Sequence, residues 1–510
     1  MARRALLSLS SPPASTAILA FFCAVTACSG APPEPVASPI ARPTPAPKDN
    51  TTNSTKMPAP TPPPPAFAAA ASKLRDTVLA SSQAFDIVRS LTDEAGHRLA
   101  GSPGNRAAIA WALRMLPSYG LQNVRAEKAM ATHWERGPAS AAITAPYPHP
   151  VVLAALGGSI ATPRGGIEAE VIEADSLESL AKLDKAAVKG KIVYLSTVTE
   201  RAKDGSGYSK AAGIRYQGPV AAAKLGAVAV VIRSVGTDKN RLPHTGGMRY
   251  EDGVPKIPAA ALSVPDAELL GRLLRTGKPV RLRLELGSKT IGETEAPNVI
   301  GEVVGRSAPD EIVLLGAHID SWDMGTGAVD DGAGCAVIIE AARQISKLQE
   351  RPRRTIRVVL FNNEENGLGG ARAYANTHEA ELGKHIVALE SDFGAGRIWT
   401  ARYLGAPASR DLFVSVADLI AKPLDVEVSA ADARGGADLI PLRPAGVPII
   451  DLLPDGTLYF DYHHTDNDTL DKIDKADLDQ AAAAFAAVAY AVAEMDGDFG
   501  RVPEEKRSSR

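Results

Sequence analysis

Cysteine is scarce: Cys23, Cys28 and Cys335 are the only three in 510 residues. Two fall in the first 28 positions, which leaves one thiol for the folded part and no internal disulfide. Cys-x-x-Cys metal clusters and a Cys–His nucleophile are thereby excluded, and Cys335 reads as a small buried helix residue. An excess of one charge is lacking too. Lys and Arg number 56 against 59 Asp and Glu, a formal net charge of −3. That leaves neither a basic footprint for nucleic acid nor an acidic interaction tail. No Gly-x-Ser-x-Gly occurs, which argues against the nucleophile-elbow hydrolases. His378-Glu379 is not followed by the second histidine of a His-Glu-x-x-His helix.

Proline, by contrast, is concentrated near the N-terminus. Arg3 and Arg4 precede an apolar run from Ala17 to Val25, too short to span a bilayer comfortably and typical of a cleaved export signal. Val25-Thr26-Ala27-Cys28 resembles a bacterial lipobox, so residues 1–28 are expected to be a lipoprotein signal with Cys28 as the acylated residue. Residues 29–72 read as a Pro-rich disordered linker, a tether suited to holding a soluble domain off a membrane. The expected location is therefore the cell envelope, with the membrane met only through the lipid anchor. Beyond the leader no apolar stretch is long enough to cross a membrane.

The rest is 45% hydrophobic and 23% charged over the whole chain, the composition of a soluble globular protein of two or three domains. Folded sequence is expected from Lys73, with a helix opened by Ser102-Pro103-Gly104-Asn105 and stopped before Gly120. From residue 136 to 291 the runs become short, β-branched and turn-bounded, as in Lys191–Leu195 and Ala227–Ile232. This insert holds no ligand cluster; His244 stands alone and reads as a surface or structural residue. After Pro297 strands alternate with helices, which predicts an α/β domain with a mixed, largely parallel sheet and helices on both faces. Residues 73–135 and 292–497 make up that domain, and 498–510 read as a polar tail.

The chemistry-bearing residues fall where strands of such a sheet end, the edge at which ligands gather. Ala317-His318-Ile319-Asp320 places a histidine beside an aspartate that can orient its ring. Gly327-Ala-Val-Asp330-Asp331-Gly-Ala-Gly334 is a glycine-rich turn opening a helix, where small neighbours let a carboxylate approach metal ions closely. Glu364-Glu365 leaves the second strand; one glutamate can ligate while its neighbour serves as general base. Glu390-Ser391-Asp392 ends the third, and His463-His464 comes late in the chain. Two histidines and three carboxylates, one of them shared, give each of two zinc ions three ligands and an open position for water.

On these residues the sequence resembles metallopeptidase family twenty-eight, the co-catalytic zinc exopeptidases. The block from His318 to Gly334, the Ala100–Asn105 stretch and the His-Thr-x-x-Asp-Thr run at His464–Thr469 carry the resemblance. It implies a zinc exopeptidase fold with an inserted domain similar to protease-associated domains, two Zn2+ per subunit and a peptide substrate. One zinc takes His318, Asp330 and Asp392, the other Asp330, Glu365 and His464. Glu364 is the base, and a non-proline cis peptide follows Asp330; Asp320 is counted as catalytic with Glu364, through its hold on the His318 ring. A homodimer and activity on dipeptides or short peptides with a free N-terminus are implied as well. Competing readings are a carboxypeptidase or a non-peptide amidohydrolase on the same site, and a binding protein that has lost catalysis.

Overall fold

The computed structural model describes residues 67–507; the leader, Cys28 and most of the expected linker lie outside them. The first helix, Ala68–Ser81, begins inside the stretch read as linker. Its Ala71, Leu74 and Val78 are buried against the Ala-rich helix Lys475–Glu494, so alanine composition that looks linker-like is here a close-packed helix face. The Pro103–Ser118 helix starts as its sequence predicts, with the Ser102 hydroxyl accepting from the Asn105 N–H at 3.0 Å.

An eight-stranded sheet forms the floor of the molecule. Its order is Gln122–Glu127, Asn298–Val303, Arg354–Phe361, Ala308–His318, His385–Glu390, Ile449–Pro454, Ile398–Leu404, Glu427–Val428. The four strands from Arg354–Phe361 to Ile449–Pro454 run parallel, and the strands flanking them are antiparallel to their inner neighbours. Helices cover both faces. Ala333–Ser346, Arg410–Leu424 and Lys475–Glu494 bury one side, and Gly369–Thr377 packs on the other through Ala371 and Tyr374. The expected mixed α/β architecture is what the chain adopts.

A second eight-stranded sheet is built from residues 139–286, with its own apolar core. The chain enters and leaves it through an antiparallel ribbon in which Met130–Glu135 pairs with Lys289–Glu295. The boundary read at residue 136 directly follows the first strand of this ribbon, whereas the one read at 291 falls inside the second strand. The 498–507 stretch is not the polar tail its composition suggests. Phe499 and Val502 are buried, and the Val502 N–H donates to the Gly446 carbonyl at 3.0 Å.

Candidate active site

The parallel strands deliver their ends to one edge. His318 is the last residue of its strand, Glu364 and Glu365 follow Phe361, and Asp392 lies two residues beyond Glu390. Asp330 sits in the turn before the Ala333–Ser346 helix, and His464 follows the short Tyr459–Tyr462 helix. His318 Nε2 lies 3.2 Å from Asp330 Oδ1 and 3.3 Å from Asp392 Oδ1. His464 Nε2 lies 3.2 Å from Asp330 Oδ2 and 3.0 Å from Glu365 Oε2. Asp330 therefore offers one oxygen to each of two donor groups, His318/Asp330/Asp392 and Asp330/Glu365/His464. Of the carboxylates in these groups, His463 Nε2 lies nearest Asp330, at 3.4 Å.

Glu364 belongs to neither group. Burial, opposed in part by His318, and the nearby charges of Asp392 and Glu365 hold its carboxyl well above the usual range. Glu365 is pushed up to about 7 by burial and by Asp330, against the pull of His464. Burial alone would depress His318, but Asp392 and Asp330 outweigh it and keep the ring well above its ordinary value. Among the described residues no lysine or arginine pairs with Asp330, Glu365 or Asp392; only histidines do. Buried carboxylates gathered in this way need positive charge, and mixed imidazole and carboxylate donors are a set that zinc accepts.

The turn carrying Asp330 is held from several sides. The Asp330–Asp331 peptide is cis. Asp331 accepts from the His318 N–H at 3.0 Å and the Gly334 N–H at 3.1 Å. Glycine at 334 is required, because a side chain there would run into Asp331 and the Ser391 carbonyl. Asp468 accepts from the Val329 N–H at 2.6 Å and the Asp330 N–H at 3.2 Å. Its carboxyl is pushed up to about 8 by burial and by Asp330. Arg98, wholly buried, donates to the carbonyls of Ile319 and Gly327.

Three expectations are corrected. The acceptor nearest to the His318 Nδ1 is the Asp320 carbonyl at 3.0 Å, with the carboxylate farther off at 3.8 Å. The Asp320 carboxylate instead accepts from the Glu364 N–H at 3.1 Å, so it positions the glutamate. His244 is neither solitary nor at the surface: it is buried, with Nε2 2.9 Å from His463 Nδ1. The insert also reaches the donor groups directly, since the Thr245 carbonyl lies 3.2 Å from His464 Nδ1. That contact orients the ring so that Nε2 faces Asp330 and Glu365. Asp438 lies wholly buried beside Glu390, whose carboxylate accepts from its N–H at 3.2 Å.

The site opens into two cavities. One of about 330 Å³ runs from Asp330, Glu364 and His464 past Glu390 to Arg402 and Asp451. The other, about 750 Å³, lies between Glu364–Leu368 and the insert residues Tyr216–Lys224 and Met248–Glu251.

Comparison with known proteins places the chain in a family. The family described as peptidase family M28 matches residues 298–489. Carboxypeptidase Q of Mus musculus is 39% identical over 406 residues, covering 80% of this chain and 84% of the relative. The crystal structure of a peptidase M28 precursor from Shewanella amazonensis superposes with a TM-score of 0.84 at 47% identity, covering 86% of this chain and 99% of that one. A zinc aminopeptidase from Bacillus subtilis, 22% identical over 83% of this chain and 98% of its own, shares the fold with a TM-score of 0.60. The chain belongs to peptidase family M28. It is a zinc-dependent metallo-exopeptidase, similar to carboxypeptidase Q.

Proposed function

We propose that this enzyme is a two-zinc exopeptidase that hydrolyses dipeptides and other short peptides bearing a free N-terminus. The observation that carries the reading is Asp330, whose two oxygens serve different donor groups while Glu364 stands outside both. His318, Asp330 and Asp392 would hold one zinc and Asp330, Glu365 and His464 the other. Bound there, the pair would acidify a water and polarise the scissile carbonyl. Glu364, which stands outside both donor groups, takes a proton from the attacking water. The same carboxyl then returns that proton to the nitrogen of the leaving amine. Asp320 fixes the backbone from which Glu364 projects.

The test compares kcat/KM for one dipeptide, its N-acetyl form and its C-terminal amide. The free dipeptide is expected to be the best substrate and the acetylated form the worst; a better acetylated substrate overturns amine recognition. The reading includes export and acylation at Cys28, supported by the Val25–Cys28 motif. Cys28→Ser is expected to move activity from the membrane fraction to the soluble one, and wholly soluble wild-type protein overturns the anchor.

A further inference from the structure

The small cavity has a charged far wall. On the sheet face that lines it, Arg402 of the Ile398–Leu404 strand stands opposite Asp451 of the Ile449–Pro454 strand. The two carboxylate oxygens of Asp451 are already engaged. One accepts from the Arg434 N–H at 2.6 Å and the other from the Gly435 N–H at 2.9 Å, so Asp451 clamps the 434–436 loop. Among the described residues no carboxylate forms an ion pair with Arg402 and no acceptor takes its Nε–H, although that Nε is buried. A second cation, the exposed side chain of Arg434, lines the same cavity.

Asp451 offsets the charge of this half-buried guanidinium. Both Asp451 oxygens nevertheless accept from backbone amides, and the buried Nε–H of Arg402 is left without an acceptor. What remains is a fork of donors facing a cavity that also holds the metal-binding acids. Nε and one Nη of arginine match the two oxygens of a carboxylate. Span agrees as well. Arg402 lies two strands from the strand that leads to Asp392, about 10 Å at ordinary strand spacing. A dipeptide is about 7 Å long when extended, and the arginine side chain covers the difference.

The geometry points to Arg402, assisted by Arg434, as the subsite that takes a carboxylate of the substrate. This rests on the peptidase reading above and deepens it. The carboxylate is either the C-terminus of a dipeptide or an acidic side chain, and both present the same two oxygens. Asp451 is then a positioning residue, holding the loop that brings Arg434 to the cavity.

The experiment measures kcat/KM for Ala-Ala, its C-terminal amide, and the pairs Ala-Glu/Ala-Gln and Glu-Ala/Gln-Ala, in wild type, Arg402→Met and Arg402→Lys. Affinity of the Glu364→Gln enzyme for the acid and amide forms, with and without Arg402→Met, gives a readout free of turnover. A charged hydrogen bond lost from a closed subsite is worth about ten- to a hundredfold. Wild type is expected to prefer Ala-Ala over its amide by that factor if the terminus is read, or an acidic over an amide side chain if the side chain is read. Arg402→Met should erase the preference and leave amide substrates within about twofold, and Arg402→Lys should restore part of it. Equal losses for acid and amide forms would make Arg402 merely structural and overturn the inference. Acid and amide forms binding alike to the Glu364→Gln enzyme with Arg402 intact would overturn it too. Failure of every dipeptide to turn over, with acid-selective binding retained, would instead count against the peptidase reading and leave the carboxylate subsite standing.

Discussion

His244 Nε2 lies 2.9 Å from His463 Nδ1, across 219 residues of chain. Burial, then the charge of His464, hold both rings well below the ordinary imidazole range. Two neutral rings share one hydrogen bond, one nitrogen donating and the other accepting. His463 Nε2 in turn lies 3.4 Å from Asp330. A line of contacts therefore joins the insert to the central carboxylate. His244→Ala leaves His463 Nδ1 buried without a partner and is expected to cost about 1–3 kcal/mol of stability. Urea unfolding of metal-loaded protein checks this; an unchanged midpoint would show that the contact contributes nothing.

The adjacent glutamates are expected to separate cleanly. Glu364→Gln should retain the metal content of wild type and lose about 10²–10⁴-fold in kcat, the range for a general base. Glu365→Gln should lower bound metal, read by elemental analysis after gel filtration. Equal metal loss in both would mean that the roles have been exchanged.

Asp468 touches no donor atom of the site, yet both its oxygens accept main-chain N–H groups of the Val329–Asp330 turn. Asp468→Asn replaces one acceptor with an NH2 facing an N–H. Metal affinity is expected to fall about 10–100-fold, the usual effect of losing a group that orients a ligand. Competition with a chelator measures it, and wild-type affinity would remove Asp468 from the support of the site.

His385 provides a pH test away from the site. It is fully buried between the Tyr374 hydroxyl and the Glu381 carbonyl, and burial pushes its pKa down to about 4. The unfolded chain binds a proton at this ring from the ordinary value of about 6.5 downward, while the folded protein resists. Stability from the neutral ring is thus full above pH 6.5 and is lost as pH falls to about 4, in all about 3 kcal/mol. His385→Gln does not titrate. The difference in unfolding free energy between wild type and this variant should change by that amount between pH 7 and 4, with wild type the loser in acid. A constant difference would contradict a buried neutral His385.

Much of this was legible in the sequence because a parallel sheet turns sequence order into place. His318, Glu364, Glu365 and Asp392 each follow an apolar run, and strands in parallel register put their ends side by side. His244 was not legible. It comes from another sheet, follows no periodic run, and reaches the site only through packing of that sheet over the strand ends. Asp331 and Asp468 were visible as residues within quoted motifs, but hydrogen bonds to main-chain amides have no composition or spacing that announces them. The first helix was missed because alanine is equally at home in a linker and on a tightly packed helix. For Asp320 the residue was right and the atom wrong: a carbonyl supplies the contact to His318 that a carboxylate was expected to make.

The second sheet interrupts the first in the chain: residues 139–286 lie between the Gln122–Glu127 strand and its partner Asn298–Val303. A chain emerging from its N-terminus therefore completes the insert, with Thr245 and His244, before His318 exists. Domains tend to fold as they emerge, N-terminal parts first. The roof of the active site is thus synthesised before most of the floor, and in the contact between the Thr245 carbonyl and His464 the histidine is the partner made last.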